Sequence, residues 1–314
     1  MTDNAQQRPV FAISGPTASG KTALGVELAK RVGGEVVNFD SVQIYKEIEI
    51  ATAKPTSEER QGIPHHLIDY VDPRVNYTAA DWARDAEKTI AEIEGRGNTP
   101  VLVGGTGFYL RTLMEPLFES PKTDEELRRR LQRIHASRGP EHLHRMLRRL
   151  DPASAEALFP RDYVRVIRAL EVVVQTGERL SARKSERPPR SRLAERLALF
   201  VLEPPRDDLL RVIDERTEKH FGSGLVEEVT RLRESGIGDA TNALGSHGYR
   251  RVCEYLRGER TLQSAVDKTK QDVRNYAKRQ LTWFRAEPRA HWLAGFGTEA
   301  YIVETAARIA EAVL

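Results

Sequence analysis

Gly15-Pro16-Thr17-Ala18-Ser19-Gly20-Lys21-Thr22 sets two glycines around four residues and follows them with lysine and threonine. Glycines in this pattern let backbone N–H groups turn toward an anion, and a following helix adds the partial positive charge of its N-terminus. Lys21 can then reach a terminal phosphate oxygen, and the Thr22 hydroxyl can hold Mg²⁺. The eight residues are therefore a candidate site for a diphosphate or triphosphate, but they do not choose a reaction. Kinases and hydrolases built on this loop usually add an acid at a strand end to manage the metal and the attacking group. Here the apolar run Val101-Leu102-Val103 ends in Gly104-Gly105-Thr106, without a carboxylate. The nearest strand-end acid is Asp40, in Asp40-Ser41-Val42-Gln43-Ile44-Tyr45. Metal ligand, general base and helix cap are all open to it, and spacing alone favours cap or metal ligand.

Two other chemistries are set aside. His65 and His66 are adjacent rather than at ligand spacing and lack a Cys or His cluster, so packing or hydrogen bonding in a loop is expected of them. Cys253 is the only cysteine, which excludes disulfides and cysteine-rich zinc sites within one chain. A half-buried helical thiol is expected there.

The phosphate-binding residues need a strand before them and a helix after. Val10-Phe11-Ala12-Ile13 supplies the first, and apolar residues at 24, 28, 29 and 32 give Lys21 to Val32 a helical period. Strands are expected again at Glu35 to Phe39 and Pro100 to Val103, and Thr78 with Asp81 marks a capping box for a helix reaching Glu94. Alternating strands and helices predict an α/β fold with a P-loop NTPase-like parallel sheet and helices on both faces. From Thr123 to about Glu186 the pattern is helical only, broken at Gly139-Pro140, Asp151-Pro152, Pro160 and Gly177 and closed by Pro188-Pro189. That stretch reads as an inserted all-helical domain at 122–192 between core parts 1–121 and 193–314. The second core part is expected to hold a strand, Leu197 to Leu202, and helices at Asp207 to His220, Leu225 to Glu234 and Leu262 to Phe284.

Charge follows this division. Between Lys122 and Arg192 the balance is +8, although the whole chain carries +3, so the remainder is at −5. Clustered cations gain affinity for a polyanion by displacing its counterions, so the insertion is a candidate nucleic-acid surface as well as a solvated helical face. No apolar run is long enough to span a bilayer, and the opening MTDNAQQRPV has no signal-peptide pattern. A cytoplasmic monomer with no membrane partner is expected.

These stretches together resemble the tRNA dimethylallyltransferase (tRNA isopentenyltransferase) family over nearly the whole chain. The matching blocks are GPTASGKT at 15–22, DSVQIYKEIEIATAKPT at 40–56, GIPHHLIDYVDP at 62–73 and GGTGFYLRTL at 104–113. RVIRALEV at 165–172, GLVEEV at 224–229 and RNYAKRQLTWFR at 274–285 follow in the same order. Departures fall at Ala51, Arg251 and Val273, away from the expected chemistry.

The resemblance implies transfer of a dimethylallyl group from dimethylallyl diphosphate to N6 of the adenosine 3′-adjacent to the anticodon, in tRNAs reading codons that begin with U. Mg²⁺, held near Thr22, is the implied cofactor, and the tRNA anticodon stem-loop is the implied partner. Gly15, Pro16, Thr17, Ala18, Ser19, Gly20, Lys21 and Thr22 would bind the diphosphate, joined by Thr106 and a clamping Arg216. Asp40 would be the general base. Contacts to tRNA are implied for Asp40, Ser41, Val42, Gln43, Thr106 and Arg128, and for Val164, Arg165, Val166, Ile167 and Arg168. They are also implied for Gly245, Ser246, His247, Gly248, Tyr249 and Arg250, and for Arg274, Lys278 and Arg279. Gln43 can in principle make paired hydrogen bonds to an adenine. A P-loop kinase, an adenylate dimethylallyltransferase acting on a free nucleotide, and an RNA-binding switch without chemistry are the alternatives.

Overall fold

The computed structural model describes residues 8–118, 120–185 and 188–314; the opening residues 1–7 and Glu186, the expected end of the helical stretch, lie outside the described residues. The chain divides into two compact units, one running to Met114 and resuming at Ser191, the other spanning Glu115–Arg190.

The first unit is built on a parallel sheet in the order β3-β2-β4-β1-β5-β6. Its strands are β1 (Val10–Ser14), β2 (Gly34–Asn38), β3 (His65–His66), β4 (Thr99–Val103), β5 (Leu197–Leu202) and β6 (His291–Leu293). Helices α1 (Lys21–Val32), α2 (Ser57–Arg60), α3 (Ala79–Gly95) and α4 (Gly107–Met114) come before the second unit. That unit holds α5 (Glu125–Arg138), α6 (Pro140–Leu150), α7 (Pro152–Ala157), α8 (Tyr163–Thr176) and α9 (Leu180–Ser185). The first unit then closes with α10 (Arg206–Gly222), α11 (Leu225–Glu234), α12 (His247–Leu256), α13 (Leu262–Phe284) and α14 (Ala300–Glu311).

Every residue of β1 is buried, as a central parallel strand covered on both faces requires. Val10 and Ala12 enter a core with Trp82 and Ile90 of α3, while Phe11 and Ile13 enter another with Leu24 and Leu28 of α1 and Ile302 and Ala306 of α14. The expected parallel sheet with helices on both faces is what forms. The Thr78 capping box is also present, with the Thr78 side chain accepting from Asp81 N and the Asp81 side chain accepting from Thr78 N.

The departures from expectation include a short edge strand, a glycine-led helix and two amphipathic helices. His65-His66 forms an edge strand, not a loop, paired at Val36↔His65 and Val37↔His66. Two residues are too few to show a period. The expected hydrogen bonding does hold, since His66 Nε2 lies 2.6 Å from the buried Glu35 carboxylate and His65 Nδ1 lies 2.8 Å from the Ile63 carbonyl. Helix α4 opens on the low-propensity Gly107, whereas α12 and α14, which the sequence reading passed over, bury one apolar face each, through Tyr249, Val252 and Cys253 and through Ile302, Ala306 and Ala310.

The second unit breaks where glycine and proline dictate. Gly139 at φ 77° ends α5, Pro140 opens α6, and Gly177 at φ 73° ends α8. Asp151, fully buried, caps α7 by accepting from Ser154 N at 3.1 Å and also accepts from Ser181 N at 2.9 Å, tying α7 to α9. Leu131, Leu143, Leu147, Val166, Ile167 and Leu170 form its apolar core.

Candidate active site

The C-terminal ends of β2, β4 and β1 lie side by side, the edge at which open α/β sheets take ligands. From β1 the chain passes into the phosphate loop. Gly15 is at φ 141° and Gly20 at φ 85°, and a Cβ would come within 2.9 Å of Leu202 O at Gly15 and 3.0 Å of Gly297 N at Gly20. Both glycines are therefore required by backbone angle and by space. Ala18 also takes a left-handed turn, at φ 65°. Helix α1 has no side-chain cap and no acid in its first turn, so its leading amides stay open to an anion. Lys21 Nζ donates to Pro16 O at 2.7 Å. Burial pushes its pKa down to about 8, against the opposing pull of Asp40 and with a further push from Arg216. Ser19 Oγ is buried without a hydrogen-bond partner among the described residues, an orphan that a phosphate oxygen would satisfy.

The turn after β4 is compressed against its neighbours. A Cβ would lie 2.5 Å from the Phe39 backbone at Gly104, 2.1 Å from Gln280 Nε2 at Gly105, and 1.9 Å from Trp283 Nε1 at Gly107. Only hydrogen fits. Thr106, held within this turn, accepts from Ser41 N at 3.1 Å and donates to Ser41 Oγ at 3.3 Å, so it braces the turn that carries Asp40.

Asp40 divides its carboxylate between structure and chemistry. Oδ1 accepts from Val42 N at 2.9 Å and Gln43 N at 3.3 Å, fixing the turn, while Oδ2 accepts nothing among the described residues. No helix follows Asp40, so the helix-cap reading gives way to a turn closed by one oxygen, and the other is free for a proton or a metal. Asp40 and Ser41 line a cavity of about 810 Å³ together with Thr17, Ala18, Arg216 and Tyr276, and Val42, Ile213, Phe221 and Leu225 supply apolar wall. Burial also lowers the pKa of Arg216, with Asp40 opposing, and Arg216 Nε donates to His220 Nε2 at 3.4 Å. His220 falls to about 4, by burial and the nearby Arg216, so it is a neutral acceptor at neutral pH. The sequence's diphosphate-binding and catalytic candidates are therefore brought together.

Several candidate tRNA contacts are corrected. Gln43 cannot present its amide N–H group to an adenine in this arrangement, because Nε2 donates to Thr52 O at 3.0 Å and Ala53 O at 2.9 Å. Val166 and Ile167 are buried in the core of the helical unit, which leaves Val164 and Arg165 as the exposed members of that stretch. Arg128 grips the fully buried Glu171 through Nε at 2.6 Å and Nη2 at 2.9 Å, and Arg168 shares the same carboxylate at 3.3 Å. Both are anchors of their own unit before they are anything else. Tyr249 is buried, donating to Glu228, and does not line the cavity that Gly248 and Arg250 line. Gly245, Ser246, His247, Gly248 and Arg250 do line the cavity. Arg274, Lys278 and Arg279 are exposed, although Arg274 donates to Asp214 at 2.8 Å.

The sequence reading missed Gln280, Tyr276, Glu228 and His220. The first had a usable signal: α13 buries Ala265, Thr269, Ala277, Gln280 and Phe284, and a glutamine on a buried helical face needs partners. Phe159, 83 % exposed and beside Arg161, was also passed over.

Comparison with known proteins gives the family. The family described as IPP transferase matches residues 43–287. A tRNA dimethylallyltransferase of Geobacter metallireducens is 47% identical, covering 90% of this chain and 91% of that protein. One from Koribacter versatilis is 44% identical, covering 96% and 97%. Among solved structures, the full-length tRNA isopentenylpyrophosphate transferase of Bacillus halodurans is 38% identical, with a TM-score of 0.71 over 98% of this chain and 97% of that one. A eukaryotic dimethylallyltransferase solved acting on tRNA reaches a TM-score of 0.79 at 28% identity, over 96% of this chain and 77% of that one. With the family match spanning most of the chain, and relatives of this identity spanning nearly all of it, the chain belongs to the IPP transferase family.

Proposed function

We propose that this chain moves a dimethylallyl group from dimethylallyl diphosphate to N6 of the adenosine 3′-adjacent to the anticodon, in tRNAs reading codons that begin with U. The observation that carries the reading is the Asp40 carboxylate, with one oxygen unengaged, lining the same cavity as the phosphate loop and Arg216. A leaving diphosphate and a proton acceptor are what N-alkylation by an allylic diphosphate requires.

In the reaction, the N6 lone pair forms a bond to the allylic carbon as that carbon's C–O bond breaks, and the electron pair leaves on the diphosphate. Charge growing there is met by the α1 amides, Lys21 and Arg216, and by the orphan Ser19 hydroxyl. The N6 proton passes to Asp40 Oδ2. The apolar wall of Val42, Ile213, Phe221 and Leu225 keeps water from the cation-like carbon.

Magnesium fits the donors present. Among the described residues no group of three or more His, Cys, Asp or Glu is placed to hold a metal, so the ion would rest on Thr22 Oγ1, the substrate's own phosphate oxygens and water. Bound there, it would neutralise diphosphate charge. No helix among the described residues is long and apolar enough to cross a membrane, and we place the enzyme in the cytoplasm with its tRNA.

The anticodon stem-loop is the expected partner, and the helical unit, with its exposed Arg165 and Phe159, is the expected reader. Relatives named for tRNA across nine-tenths of the chain leave the free-nucleotide and kinase alternatives without support. The deciding experiment mixes unmodified tRNA, dimethylallyl diphosphate and Mg²⁺, digests the tRNA and weighs its nucleosides. Adenosine carrying one added C5H8 is expected; unmodified adenosine after full incubation sinks the reading.

A further inference from the structure

A primary amide has two unlike ends, an oxygen that accepts and a nitrogen that donates. Gln280 is 5 % exposed, and its neighbours leave its amide one orientation. Thr17 N, which can only donate, lies 2.8 Å from Oε1, and Gly105 O, which can only accept, lies 3.0 Å from Nε2. Thr17 belongs to the phosphate loop, and Gly105 immediately precedes Thr106. One side chain from α13 therefore bridges the loop that follows β1 and the loop that follows β4.

The bridge reaches the chemistry in one more step. Thr106 Oγ1 accepts from Ser41 N, and Ser41 adjoins Asp40. Ser14 Oγ also links the two strand ends, donating to Gly104 O at 2.9 Å, but it does so one residue before the loops begin. Steric fit points the same way, because a Cβ on Gly105 would lie 2.1 Å from Gln280 Nε2.

We propose that Gln280 is a positioning residue for prenyl transfer, holding the diphosphate loop in register with the turn that carries Asp40. The proposal rests on the transferase reading above. Nucleophile and leaving group must occupy opposite sides of one carbon, with the attacking atom about 3–3.5 Å away. The diphosphate would sit on one bridged loop, and Asp40 sits on the turn that the other bridged loop braces through Thr106, so slack in the bridge becomes error in that alignment.

Two substitutions separate the two ends of the amide. Gln280→Met keeps length and loses both hydrogen bonds. Gln280→Glu keeps the acceptor facing Thr17 N and turns a carboxylate oxygen toward Gly105 O. In single turnovers Gln280→Glu is expected to slow transfer about tenfold with the KM for dimethylallyl diphosphate within about twofold of wild type. Gln280→Met is expected to slow it as much and to raise that KM about tenfold, and neither changes the KM for tRNA. Gly105→Ala, whose methyl displaces the amide, is expected to reproduce Gln280→Met and to cost nothing further in a Gln280→Ala background.

Wild-type rate and donor KM in Gln280→Met overturn the proposal. So does a loss that only tracks the unfolded fraction in thermal melts, or full additivity of Gly105→Ala with Gln280→Ala. Calorimetric binding of dimethylallyl diphosphate, which needs no tRNA, runs beside the kinetics. A wild-type protein that binds the diphosphate yet leaves tRNA unmodified ends the transferase reading, while unchanged binding in Gln280→Met still overturns the bridge on its own.

Discussion

The Asp40 carboxylate accepts from the Val42 amide at 2.9 Å through Oδ1, which fixes the turn while Oδ2 remains unengaged. The two oxygens can be tested apart. Asp40→Asn keeps an accepting Oδ1 and removes the base, so turnover is expected to fall on the order of 10² to 10⁴ with donor affinity and melting temperature nearly unchanged. Asp40→Ala removes the cap as well and is expected to cost about 1 kcal/mol of stability in addition. Single-turnover kinetics and melts on both variants check this, and equal loss of donor binding in the two would remove Asp40 from the chemistry.

Lys21 titrates within reach of ordinary assays, its pKa lowered to about 8 chiefly by burial. The ammonium, which attracts the diphosphate, is the form below that value, and the neutral amine is the form above it. Donor KM is therefore expected to rise as pH climbs past about 8, with tRNA binding at constant salt unaffected. Lys21→Met is expected to weaken donor binding at every pH and to flatten this rise. A profile that keeps its rise in Lys21→Met assigns the titration to another group.

Buried Glu228 and Tyr249 together hold three consecutive amides of the segment after the Asp40 turn. Glu228 accepts from Glu49 N at 3.0 Å and Ile50 N at 3.1 Å, and Tyr249, which donates to it, accepts from Ala51 N at 3.2 Å. Tyr249→Phe strands one amide and one carboxylate lone pair, and is expected to cost about 1–3 kcal/mol in urea denaturation. Glu228→Ala, which strands two amides and a phenol, is expected to cost more. Stability unchanged in Glu228→Ala would mean that water replaces the carboxylate.

In the helical unit, Arg128 and Arg165 should behave oppositely. Arg128 is committed to buried Glu171, so Arg128→Glu, which sets a second carboxylate against a buried one left with only Arg168, is expected to destabilise the unit by about 3–5 kcal/mol. Arg165 is 72% exposed and, among the described residues, pairs only with nearby Asp162. Arg165→Glu is expected to leave the melt unchanged while raising the KM for tRNA, with a salt dependence shallower by about one counterion. Filter binding across a salt series reads the slope, and an unaltered slope takes Arg165 off the RNA surface.

What was legible in the sequence is what short-range physics decides. The strand, glycine turn and helix around Lys21 are written within 24 residues, from Val10 to Gly33, and the breaks of the helical unit fall at its own prolines and glycines. The occupations of polar side chains were not legible, because their partners are remote. Gln43 is claimed by carbonyls nine and ten residues away, Arg128 by Glu171 at a separation of 43, and Thr17 by Gln280 at a separation of 263. Resemblance named Arg128 and Ile167 as contacts, but it could not say that one was already paired and the other already packed.

Ser191 N donates to Met114 O at 2.9 Å, so the chain leaves the sheet-bearing unit and rejoins it at a single backbone hydrogen bond. Everything from Glu115 to Arg190 is, in this sense, one loop whose ends already touch. Closing the gap with a tight turn would ask little of the remainder, since loop-closure entropy changes only slowly with length. On the function proposed above, the diphosphate cradle and the helical unit proposed to contact RNA could then be varied independently through that one graft point, a fixed reaction acquiring a new address.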